Sequence, residues 1–164
     1  MMKKIPTLLL LLFHVCLMNA QAVVRTDSLG AGQAYISESD TFKTCENQPV
    51  HQYYHQDKRY GDEMCFVKKY IKDHYKPIEI NESGFLTIRF IVNCEGKIGN
   101  FIVYQVDDKL NPCQFSKTII DQLMKLTQEL QNWSPMTLAD GRVVNYRAFL
   151  TFKIKNGYVE RMVP

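Results

Sequence analysis

Leu86, Ile88, Phe90 and Val92 alternate with Phe85, Thr87, Arg89 and Ile91 along the chain. Period-2 alternation marks a strand buried on one side. Phe85 and Ile91 make the second face only partly polar, which suits a central strand. After Asn93-Cys94-Glu95-Gly96, Ile98, Ile102, Tyr104 and Val106 alternate with Gly99, Phe101, Val103 and Gln105. Gly96 offers the positive φ of a tight turn, so the two strands are expected to be antiparallel neighbours. From Phe115 the apolar spacing changes to three and four, through Ile119, Leu123, Leu126, Leu130 and Trp133. That is an amphipathic helix, preceded by Pro112 and stopped before Pro135. A third alternating run, 143–155, puts Val144, Tyr146, Ala148, Leu150, Phe152 and Ile154 on one face. Asn145, Arg147, Phe149, Thr151 and Lys153 take the other. Asn156-Gly157 then turns the chain, leaving Tyr158 to Met162 as a short edge strand.

Upstream, Phe66/Val67, Tyr70/Ile71 and Tyr75 recur on one face of a further helix, with Asp62 as a candidate N-cap and Pro77 as its stop. The expected fold is α+β: a three-stranded antiparallel sheet, with room for a short fourth strand, and two helices packed on one face of a β-β-α-β core.

Several motifs in this order carry a resemblance. Gly84-x-Leu86-x-Ile88-x-Phe90-x-Val92, Gly96-x-Ile98, Trp133-x-Pro135, Gly141-x-x-Val144 and Phe152-Lys-Ile-Lys-Asn-Gly157 together resemble the TonB C-terminal domain. Tyr75-Lys-Pro77 resembles the end of that family's lead-in helix. The likeness runs from about Tyr60 to Gly157, which makes 60–164 the TonB-like domain; the polar stretch 23–59 reads as an extended lead-in to it, and 1–22 as a separate first segment.

The first segment reads as a secretory signal peptide. Lys3 and Lys4 precede an apolar run over 5–18, and Ala20-Gln21-Ala22 fits a small-x-small cleavage site. The run falls short of the ~20 residues that span a bilayer. An uncleaved anchor is the alternative; a lipoprotein site at Cys16 is disfavoured by Phe13-His14-Val15. The formal net charge is +3, and no basic block offers a nucleic-acid footprint. After cleavage no membrane insertion is expected.

An exported chain makes disulfides the natural state of Cys45, Cys65, Cys94 and Cys113. The upstream helix must feed the first strand, so Cys65 at its start is expected near the Cys94 turn. Cys113 falls at the opposite end of the sheet, roughly 20 Å away, whereas a bridge needs Cα atoms within about 7 Å. The favoured pairing is Cys65–Cys94 with Cys45–Cys113, and Cys45–Cys65 is its competitor.

Chemistry is sparse. His51 and His55, four apart, would share a helix face and could hold a metal. However, no glutamate joins them, and Pro49 and Gly61 frame too short a helix, so surface histidines are the favoured reading. A nucleophile needs a base and an orienting group; the serines lie in no elbow motif, and Glu79, Glu82, Asp107 and Asp108 sit at turns or strand ends. No catalytic, cofactor or metal site is expected.

The functional expectation rests on a sheet edge. Unpaired edges accept an extended peptide as an added strand. The resemblance implies that the last strand, 143–155, receives a segment of an outer-membrane receptor. Arg147, Phe149, Thr151 and Lys153 are the candidate contacts. The chain would be a free-standing periplasmic interaction module, with strand-exchanged dimers open to it. A membrane-anchored energy transducer is the alternative, although 26–44 lacks the proline-rich spacer. An exported enzyme or metal protein is the third reading.

Overall fold

The computed structural model describes residues 35–37, 42–45, 49–52, 60–130 and 133–163. The segment 1–22, expected as a signal peptide, lies outside them, as does His55. The elements are β1 (Tyr35–Ser37), β2 (His51–Gln52), α1 (Tyr60–His74), β3 (Gly84–Val92), β4 (Ile98–Asp107), α2 (Lys117–Glu129), β5 (Met136–Thr137), β6 (Val143–Val144), β7 (Tyr146–Lys155) and β8 (Tyr158–Val163). The protein is α+β.

β3 is the central strand, antiparallel to β4 on one side and to β7 on the other. Leu86, Ile88, Phe90 and Val92 meet the inward residues of β4 and β7 in one core beneath the helices. The expected short fourth strand is β8, antiparallel to β7, and the sheet exceeds the expectation by two more: β1 adds antiparallel to β4, and β2 adds parallel to β7. It is therefore six-stranded and mixed. At three and two residues, β1 and β2 are too short for alternation to announce them. The run 143–155 also breaks at Asn145. Ahead of the break, β6 pairs with β5 in a separate small sheet.

Both helices turn an apolar stripe to the same core. On α1 it is Met64, Val67 and Ile71, continued by Tyr75 just past the helix end. The 3.6-residue turn carries Phe66 off this stripe, and it is 61% exposed. Instead it stacks on Tyr70, which stacks on His74 along the outer flank. Asp62 lies within α1 rather than at its cap. On α2 the buried positions are Ile119, Ile120, Leu123, Met124, Leu126 and Thr127. Phe115 and Trp133 lie beyond its ends, so the helix is shorter than its apolar pattern. Both still reach the core, with Trp133 edge-on to Phe90 at a centroid distance of 5.0 Å.

Turns fix the register. Gly96 has φ +77°, and a Cβ there would come within 2.2 Å of the Trp133 carbonyl oxygen, so the β3–β4 turn also seats the chain after α2. Asn156 and Gly157 both have positive φ, at 50° and 79°, as a tight two-residue hairpin requires. The Tyr75 hydroxyl donates to the Gly157 carbonyl at 2.9 Å, tying α1 to that hairpin.

Burial, and then the charge of Glu82, push the Tyr75 phenol from its ordinary 10.0 up to about 12. A folded pKa above the unfolded one means that the neutral phenol's contribution is complete below pH 10. It is lost as pH rises through about 12. Tyr75→Phe should cost about 1 kcal/mol at neutral pH by deleting the hydrogen bond. The variant should also lose less stability than the parent between pH 10 and 12. Chemical denaturation across that range checks both; parallel pH profiles would contradict the assignment.

Candidate functional site

Arg147, Phe149, Thr151 and Lys153 occupy alternate positions of β7 on the face away from the helices. Their neighbours on β3 are Ile91, Arg89, Thr87 and Phe85. The Thr87 and Thr151 hydroxyls hydrogen-bond at 3.0 Å. The Lys153 ammonium lies 4.4 Å from the Phe85 ring centroid and pairs with Asp108. The Arg89 guanidinium carbon lies 4.6 Å from the Tyr104 ring centroid. The four expected contact residues thus share one sheet face.

The strand that carries them is not an open edge. β8 covers residues 151–155 of β7, and β2 covers Tyr146 and Arg147. Between these, only 148–150 lack an outer partner strand among the described residues. β4 is likewise met by β1 at 101–103, and the Val106–Pro112 bridge follows. The outer side of β8 differs: among the described residues no strand pairs with it. Tyr158, Glu160 and Arg161 are exposed there, while Met162 anchors the strand in the core. An open recess of about 490 Å³ lies at its start, lined by Glu79, Ile80, Asn81, Asn156 and Tyr158.

The cysteines pair differently from the expectation. Cys45 is bonded to Cys94, while Cys65 and Cys113 are free. The helix stripe through Met64 and Val67 turns Cys65 to solvent. Cys113 does lie at the far end of the sheet, where its N–H donates to the Gln105 carbonyl. Burial first, then Asp107 and Glu82, push its thiol pKa up.

What brings Cys45 to Cys94 is a pair of buried asparagines that pattern reading passed over. Asn145 accepts from the Cys45 N–H at 2.9 Å and donates to the Cys45 carbonyl at 3.1 Å. Asn93 donates to the Lys43 carbonyl at 3.0 Å, and its oxygen accepts from the N–H groups of Glu95 and Lys97. Phe42 lies against Gly99, where a Cβ would come within 2.1 Å of its ring. The signals were an asparagine before a glycine turn and a polar residue between Val144 and Tyr146. Alternation alone assigned Asn145 to the solvent side, yet it is fully buried.

His51 lies in β2, where its N–H donates to the Asn145 carbonyl at 2.8 Å, so it occupies a strand rather than a helix face. Among the described residues no cluster of three His, Cys, Asp or Glu could hold a metal ion, and no helix is long and apolar enough to cross a membrane. Comparison with protein-family models, curated proteins and solved structures finds no match to this chain.

Alkylation of the folded protein should modify Cys65 quickly and Cys113 slowly, and reach Cys45 and Cys94 only after reduction. Peptide mapping by mass spectrometry reads this directly; a Cys65–Cys94 crosslinked peptide would reverse the assignment. The bridge closes a separation of 49 residues. Replacing both partners by serine should therefore cost about 4 kcal/mol on the loop-entropy model, measured by chemical denaturation.

Proposed function

We propose that this chain is an exported protein-interaction module of the TonB C-terminal kind, which takes an extended peptide as an added strand. The observation that carries the reading is the outer side of β8, which has no partner strand among the described residues. A backbone edge supplies main-chain hydrogen bonds to any extended segment, and the side chains around it select among candidates. The exposed Glu160 and Arg161 on this edge disfavour indiscriminate pairing with apolar strands.

Export is supported by the Cys45–Cys94 bridge, since stable disulfides belong chiefly to oxidising compartments. The basic, then apolar, N-terminal sequence agrees with that route. The partner class this reading names is an extended segment of an outer-membrane transport protein. It enters at β8 rather than at the 143–155 run, whose outer side is largely taken. No chemical step is assigned to the module.

Amide hydrogen exchange tests the proposal. In the free protein the outward amides of Tyr158–Val163 should exchange rapidly, and a bound peptide from an outer-membrane transport protein should slow them. Protection confined to α1 or α2, with β8 unchanged, would rule out strand addition at this edge.

A further inference from the structure

Arg89 on β3 and Arg147 on β7 are both exposed on the open face of the sheet. Arg89 stands opposite Phe149, and Arg147 stands opposite Ile91 two register pairs along, the next pair on the same face. The two arginines are thus diagonal neighbours. Such Cα positions are about 7–8 Å apart.

Neither arginine has an ion-pair partner among the described residues; the Arg89 guanidinium has only the Tyr104 ring. On this same face Lys153 does have a carboxylate beside it, Asp108. Diagonal neighbours of this kind are within reach of each other for long side chains, so the two positive charges lie close without an intervening carboxylate. Beside them Phe149 is 39% exposed. An uncompensated cation pair beside an exposed aromatic is what an anionic partner would neutralise.

We infer that Arg89, Arg147 and Phe149 form a docking patch for an acidic, extended polypeptide segment carrying carboxylates at alternate positions. Alternate side chains of an extended chain recur about every 7 Å, which matches the diagonal separation of the two arginines. Each guanidinium presents a planar fork that a carboxylate can engage through two hydrogen bonds. Phe149 supplies apolar area for the stem of a neighbouring side chain. A nucleic acid is the poorer fit, because two arginines in a chain of net charge +3 are a small footprint for a phosphate backbone. This surface is separate from the outer side of β8, so it stands or falls independently of strand addition there.

The test uses the full exported protein with its disulfide intact. The probe is a fluorescent synthetic peptide of alternating Glu and Val, compared with the same peptide carrying Gln for Glu. The acidic peptide should bind at least about tenfold more tightly, the scale of charged hydrogen bonds, and weaken as salt rises. Arg89→Gln and Arg147→Gln should each reduce its affinity by about tenfold. Lys125→Gln, on the exposed side of α2, removes the same charge and should leave affinity unchanged. Thermal melts establish that the variants fold. Equal binding of the Gln peptide overturns the inference, as does an equal loss in Lys125→Gln. Displacement by single-stranded oligothymidylate at lower concentration than unlabelled peptide overturns the choice of polypeptide.

Discussion

Two side-chain amides at one end of the sheet determine where the lead-in can lie. Asn145 makes a two-bond clamp on the backbone of Cys45, and Asn93 holds the carbonyl of Lys43 while closing the β3–β4 turn. Both amides are buried, where unmet hydrogen bonds would cost about 1–3 kcal/mol each. The lead-in supplies partners, and the Cys45–Cys94 bond makes that seating covalent. On either side of Cys45 the described chain adds to the sheet. Before it, β1 reaches the outer side of β4; after it, β2 reaches the outer side of β7. The segment behaves as a strap fastened at its middle.

That fastening controls the edges. A bare β4–β3–β7 sheet would expose two rows of backbone groups and invite pairing with any extended chain. Here β1 and β2 shorten both rows, and the Asn156–Gly157 hairpin folds β8 over residues 151–155 of β7. The same positive-φ hairpin is tied to α1 through Tyr75. Edge covering and helix packing therefore reinforce each other at that end of the sheet.

Much of this was legible in sequence because alternation and 3.6-residue spacing act over long runs. Leu86 to Val92, the inward residues of β7 and the Ile119–Leu123–Leu126 stripe were all placed by period alone, and Gly96 and Asn156-Gly157 by turn chemistry. What escaped depends on contacts between residues far apart in the chain. Asn145 lies 100 positions from Cys45, and nothing local distinguishes it from a solvated strand residue. Position along the chain puts Cys65 near the start of its helix but does not say which side it takes, and the stripe through Met64 and Val67 turns it to solvent, away from Cys94. β1 and β2 are too short to carry a period, so the occupied edge of β7 could not be foreseen from them.

Closing the edge of β7 changes what its outward residues can do. Beside an open edge, Arg147, Phe149, Thr151 and Lys153 would flank an added strand. With β2 and β8 in place, they become the middle of a broad sheet face. Thr151 and Lys153 are satisfied there by Thr87 and Asp108. Arg147 and Phe149 are left beside Arg89, with charge and apolar area both turned outward. A sheet that only needed solubility would favour interspersed charges of both signs here. The cost of two adjacent cations is tolerable because the core and the bridged lead-in fix β3 and β7 independently of this face. The strap that closes one surface for strand pairing thereby leaves another whose chemistry is set by side chains rather than by backbone.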